Sequence, residues 1–79
     1  MAIENRYDII TRINEYYGRM SKGQKAISAF IYDHYDQAVF MTAAKLGDTV
    51  GVSESTVVRY AMFIGYNGYP EFQRDLEYW

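Results

Sequence analysis

Cysteine is absent from this chain of 79 residues, and proline and histidine each occur once. The lack of cysteine excludes disulfide bridges, thiolate metal sites and a cysteine nucleophile, and it agrees with a reducing compartment. No apolar run approaches the roughly 18 residues that a membrane-spanning helix needs, and no segment has the pattern of a secretory signal peptide. We therefore expect a cytoplasmic protein without a membrane partner.

Basic residues are also scarce. Lys and Arg number 8 against 10 Asp and Glu, for a net charge of −2, whereas DNA-binding domains commonly carry a basic face. Residues 1–25 hold a local charge of +2 and residues 26–79 one of −4. If the chain binds DNA, a single copy should bind weakly, because phosphate neutralisation supplies most of the non-specific affinity.

The rest of the composition is that of one globular domain, with 49% hydrophobic and 23% charged residues. Aromatic residues are abundant at 18%, and nine of them are tyrosines. Tyrosine adds apolar area to a small core while its hydroxyl stays near water. The tyrosines therefore fill the core or form a surface for association, and the composition leaves both interpretations open.

Apolar residues recur at three- and four-residue steps along the chain, which is the spacing of amphipathic helices. No segment alternates in the manner of a strand. We predict an all-α fold, a small bundle of about five helices, with a short turn through Val39. The predicted helices cover residues 3–18, 22–34, 43–50, 54–64 and 70–78.

Hydroxyl residues mark the predicted helix starts. Ser21 followed by Gln24 fits a capping box, and Thr42 and Ser53 are placed to cap the next two helices. The pair Asn67 and Gly68 predicts a turn with left-handed backbone conformations before the last helix.

The segment over about 42–64 predicts a helix-turn-helix, because two short helices are joined by only Gly51, Val52 and Ser53. Glycine at 51 permits the positive φ of a sharp turn. Gly47 would leave room for the second helix to cross closely. Only four residues separate Gly65 from Pro70, so we expect no wing.

The outward residues of this segment fit a DNA interface. The first turn of its second helix would face the major groove, and hydroxyls there can bind phosphates or base edges. Arg59 could contact a guanine O6/N7 pair or a phosphate, and Glu54 could accept from cytosine N4 or help to cap the helix. The predicted DNA-binding residues are Thr42, Lys45, Ser53, Glu54, Ser55, Thr56 and Arg59.

The first predicted helix has more apolar surface than one small core requires, which suggests an association surface. A homodimer on a two-fold operator would double the contacts of one recognition helix. The predicted dimer contacts are Ile9, Ile13, Tyr16 and Tyr17.

Catalytic patterns are missing from the sequence. We find no glycine-rich phosphate loop, no His/Glu metal spacing and no nucleophile–base arrangement, so we expect neither an enzyme nor a cofactor. The alternative function is a helical module that binds protein without binding DNA, which the net charge of −2 and Glu54 favour. Only DNA binding should weaken steeply with salt.

Four segments resemble the N-terminal domain of the RpiR family of bacterial transcriptional regulators. They are residues 20–25 (MSKGQK), 40–43 (FMTA), 51–59 (GVSESTVVR) and 65–72 (GYNGYPEF). The resemblance extends over almost the whole chain from Ile9 onward. It differs at Tyr35, where the family often has proline, and at Gly47, where alanine is common.

This resemblance implies a helical bundle in which Ser53, Ser55, Thr56 and Arg59 lie on the recognition helix. It also implies a dimeric regulator of sugar-metabolism genes, controlled by a phosphosugar that binds to a C-terminal SIS domain. Because that domain is absent from this chain, the resemblance implies that the chain is either an excised fragment or a truncated product.

Overall fold

The computed structural model describes the backbone of residues 2–78 and the side chains of residues 9–77. The helices are α1 (Ala2–Tyr16), α2 (Lys22–Ala38), α3 (Ala43–Val50), α4 (Glu54–Phe63) and α5 (Tyr69–Tyr78). A short 3₁₀ turn, Tyr17–Arg19, follows α1. Residues 2–78 contain no strand, and the predicted all-α fold is confirmed.

The largest departure from the predicted helices is at the end of α2. The helix was expected to end at residue 34, but it continues to Ala38 across a kink at His34, whose φ of −136° and ψ of 42° are not helical. The His34 ring lies 5.0 Å from the ring of Phe30 at this point. The last turn remains helical because it buries Ala38 and Val39 in the core.

One core joins all five helices. Phe72 on α5 lies at the centre of an aromatic cluster, with ring centroids 5.9 Å from Tyr60, 5.8 Å from Tyr66 and 5.5 Å from Tyr69. The three tyrosines are buried, and their hydroxyls are hydrogen-bonded, for example Tyr69 to the Met41 carbonyl at 2.7 Å. For these tyrosines the core-filling interpretation is correct.

Ile9 and Ile13 are not available as dimer contacts, which corrects the prediction from the sequence. Both side chains are completely buried within the domain, where α1 packs against α5. Tyr16 is half-buried against Phe63, with ring centroids 5.4 Å apart. Only Tyr17 of the predicted set is exposed, at 40%.

The predicted caps are present, but the left-handed backbone predicted for one turn is wrong. Ser21 and Gln24 form the capping box. Among the described residues, a positive φ occurs only at Gly51 (86°) and Gly65 (105°), so the segment of Asn67 and Gly68 has no left-handed residue. The chain already reverses at Gly65, and the Asn67 amide donates instead to the Glu71 carboxylate at 2.9 Å.

Candidate nucleic-acid interface

The turn between α3 and α4 is held by a single carbonyl. Gly51 ends α3 in the left-handed conformation, and the amides of Gly51 and Val52 donate to the Gly47 oxygen at 2.8 and 2.9 Å. These two bonds satisfy helix-end groups and fix the direction in which the chain enters α4. The angle between the two helices is therefore set by backbone geometry within a few residues.

Gly47 permits this turn by lacking a side chain. A Cβ atom at residue 47 would lie 2.7 Å from the Val52 carbonyl oxygen and 3.2 Å from backbone atoms of Ser53. The close neighbour is thus the turn itself, where the sequence had suggested the body of the second helix. Alanine, which is common here in the RpiR pattern, would require the turn to move.

A connected group of hydroxyls opens α4. The Ser53 hydroxyl accepts from the Thr56 amide at 3.1 Å, and it lies 3.1 Å from the Ser55 hydroxyl and 2.9 Å from that of Thr56. Ser53 and Ser55 are exposed, whereas Thr56 is half-buried. The structure therefore brings three predicted site residues together in a defined arrangement.

Arg59 follows one turn later on the same exposed side of α4. With Glu54, Ser55 and Val58 it lines a shallow depression of about 380 Å³. Arg59 is exposed, and the described side chains include no ion-pair partner for it. This guanidinium is free to reach a phosphate or a base edge, to which it can donate two hydrogen bonds.

Met62 is an exposed residue of this face that the sequence analysis missed. Its side chain is 55% exposed, and it follows Arg59 by three positions, so both lie on one side of the helix. The signal was available, because the apolar stripe of α4 passes through Val57, Ala61 and Ile64 and leaves Met62 outside. An apolar side chain there can contact a thymine methyl group.

Thr42 and Lys45 are linked at the start of α3. The Lys45 amide donates to the Thr42 hydroxyl at 3.1 Å, so Thr42 caps the helix as predicted. Both side chains are exposed, and the Lys45 ammonium has no ion-pair partner among the side chains that the structure describes. Lys45, on the helix that precedes α4, is thus available to bind a phosphate.

A buried hydroxyl pair, which the sequence analysis also missed, fastens α4 to α2. The hydroxyls of Tyr60 and Ser28 lie 2.9 Å apart in the core, and Ser28 also donates to the Gln24 carbonyl at 3.2 Å. Burial raises the pKa of Tyr60 far above its usual 10, so the hydroxyl stays protonated. Tyr60 is the neighbour of Arg59 in α4, so this bond joins α4 to α2 and helps to fix the position of the helix.

Other kinds of site find little support in the described part of the chain. Residues 9–77 contain no group of three or more His, Asp or Glu side chains that could hold a metal ion. No helix among the described residues is both long and apolar enough to cross a membrane.

Comparison with known proteins agrees with this geometry. Residues 7–78 match the family described as the helix-turn-helix domain of the rpiR family. A Providencia stuartii protein, named an uncharacterized HTH-type transcriptional regulator in the aarA 3′ region, is 35% identical over 52 residues, which are 66% of this chain and 18% of that protein. The uncharacterized HTH-type transcriptional regulator YfhH of Escherichia coli strain K12 is 30% identical over 67 residues, 85% of this chain and 24% of that protein.

No solved structure matches this chain, and the chain spans at most about a quarter of the two relatives. The family match nevertheless covers nearly all of its length. It favours DNA binding over the alternative of a module that binds only protein. The chain belongs to the rpiR family of helix-turn-helix domains and is a DNA-binding domain, not a catalytic one.

Proposed function

We propose that this domain places α4 in the major groove of a two-fold operator, with one copy on each half-site. The single observation that carries this proposal is the exposed face of α4, where Ser55, Arg59 and Met62 stand free of the core. In this arrangement Ser53, Ser55 and Thr56 contact phosphates or base edges at the start of the helix. Thr42 and Lys45 contact the DNA backbone from α3.

Two further parts of the proposal depend on charge and on family resemblance. The net charge of −2 limits the affinity of one copy, so a homodimer supplies the additional contacts. Of the predicted dimer residues, Tyr17 and the half-buried Tyr16 remain as surface candidates. The domain acts in the cytoplasm and controls genes of sugar or phosphosugar metabolism. By the family resemblance, a phosphosugar effector binds to a C-terminal SIS domain of the intact regulator.

The test is the substitution Arg59→Ala, measured by fluorescence anisotropy on an operator selected from random duplexes. Loss of a base contact should weaken operator binding by about 1–3 kcal/mol and relax the preference at one base pair. The matched control is Arg74→Ala, which removes an equal charge from an exposed position on α5. The complex should contain two chains per operator.

Equal operator affinities of the Arg59→Ala and Arg74→Ala variants would contradict the assignment of Arg59. Failure of the unsubstituted chain to bind any duplex at low salt would contradict the proposal as a whole. If Arg59 contacts only a phosphate, its loss should weaken binding to all sequences equally.

A further inference from the structure

The helix-turn-helix itself carries no excess positive charge. Residues 42–59 contain Lys45 and Arg59, which are balanced by Asp48 and Glu54. A protein that binds DNA must neutralise several phosphates, and two balanced cations are few for that purpose. The remaining attraction must come from another part of the surface close to α4.

One segment of the chain has three cations and no acids. Residues 16–32 contain Arg19, Lys22 and Lys25, with neither Asp nor Glu among them. In contrast, residues 33–41 and 60–79 each contain more acids than bases. We call residues 16–32 the acid-free segment, which includes the 3₁₀ turn and most of α2.

The fold places the acid-free segment against the start of the recognition helix. A Cβ atom at Gly23 would lie 3.2 Å from the Val52 side chain and 3.9 Å from that of Thr56. Val52 belongs to the turn between α3 and α4, and Thr56 lies in the first turn of α4. Lys22, the neighbour of Gly23 in the chain, therefore lies near the turn that leads into α4.

The three cations remain available at the surface. Lys22 and Arg19 are exposed and Lys25 is half-buried. The Arg19 guanidinium lies 4.9 Å from the centroid of the Tyr16 ring, and the Lys25 ammonium lies 5.2 Å from that of Tyr17. No ion pair engages any of the three among the side chains of residues 9–77, and stacking on a ring leaves N–H groups free to donate to a phosphate.

We propose that the acid-free segment is a second DNA-backbone surface, on which Lys22, with Arg19 and Lys25 beside it, contacts phosphates next to the groove occupied by α4. The inference rests on the proposed function, since it assumes that α4 enters the groove. It relies on side-chain cations, because the capping box already engages the amides of Ser21 and Gln24. The surface explains how an acidic domain attracts DNA.

The experiment measures binding of the 79-residue chain to a fluorescein-labelled duplex of arbitrary sequence, at salt concentrations from about 50 to about 200 mM. Lys22→Gln should weaken binding at low salt and reduce the slope of log K against log salt by about 0.9, the value for one lost phosphate contact. The matched control, Arg74→Gln, removes one charge from an acidic part of α5 and should leave the slope unchanged.

A second variant separates binding from folding. Lys22→Glu places an acid in the first turn of α2. The helix dipole stabilises a negative charge at this position, but the same charge repels phosphate. Its unfolding midpoint should stay constant or rise, and its affinity for the duplex should fall more than that of Lys22→Gln. If Lys22 had only a structural role, Lys22→Glu would lower the unfolding midpoint as well as the affinity, and that result would overturn the inference.

The remaining outcomes are also distinguishable. If the unsubstituted chain binds the duplex and the Lys22→Gln and Arg74→Gln variants have the same slope, the inference is wrong and the proposed function stands. If the unsubstituted chain shows no salt-dependent binding, both are wrong. A smaller slope in Lys22→Gln alone supports the inference.

Discussion

At the residue scale, two glycines shape the turn between α3 and α4 for different steric reasons. Gly51 has a φ of 86° but open space around it, so an added side chain would only strain the backbone. Gly47 has the Val52 carbonyl 2.7 Å from the position of a Cβ. Gly51 is therefore needed for its backbone conformation, and Gly47 is needed because the turn packs closely against it.

Gly47→Ala should therefore destabilise the domain by about 1–3 kcal/mol, the usual cost of inserting a methyl group where no space exists. Urea unfolding followed by circular dichroism measures the change. The control is Gly18→Ala, because a Cβ at residue 18 meets nothing within 4 Å. Its stability should stay the same or rise slightly. Equal stability of the two variants would contradict the packing role of Gly47.

At the element scale, the position of α4 depends on contacts with α2 as well as on the turn. The Tyr60 and Ser28 hydroxyls meet 2.9 Å apart, and Gly23 allows the Val52 side chain to approach the start of α2. The helix that would enter the groove is thus held on its core side by contacts with α2. Contacts with α2 therefore add to the extensive contacts with α3 in holding α4 in place.

Removal of this bond should be measurable by a double-mutant cycle. Tyr60→Phe deletes one hydroxyl and Ser28→Ala the other, and the pair should show a coupling energy of about 1 kcal/mol in unfolding experiments. Tyr60→Phe should also weaken operator binding relative to the duplex of arbitrary sequence, because orientation of α4 matters for base contacts. Additive effects on unfolding would exclude a direct interaction between the two hydroxyls.

At the scale of the whole molecule, buried tyrosines make the fold sensitive to alkali. Burial raises the pKa of Tyr69 from 10.0 to about 12, and it raises that of Tyr60 further. An unfolded chain releases these protons near pH 10, while the folded chain retains them. Their contribution to stability is therefore complete below pH 10 and is lost as the pH rises.

We expect the free energy of unfolding to fall between pH 10 and about pH 12 through Tyr69. Unfolding in urea at a series of pH values measures this decline. Tyr69→Phe should reduce its steepness in that window, whereas Tyr17→Phe, at an exposed position, should not. The same slope in all three proteins would assign the alkaline instability to other groups.

The local parts of this molecule follow from the sequence. Ser21, Thr42 and Ser53 cap helices as predicted, and α3 covers Ala43–Val50 as the spacing indicates. Gly51 ends α3 with a positive φ. These features depend on residues within one or two turns of each other, so hydroxyl, glycine and apolar spacing are sufficient to determine them.

Only the tertiary structure decided what each surface of these helices does. Ile9 and Ile13 belong to the core where α1 packs against α5, and α2 remains helical past His34 because its last turn buries Ala38. Lys22 lies near the turn into α4 because its neighbour Gly23 packs against Val52. These contacts join residues far apart in the chain. A local hydrophobic pattern identifies the apolar face of a helix, but it does not identify the element against which that face packs.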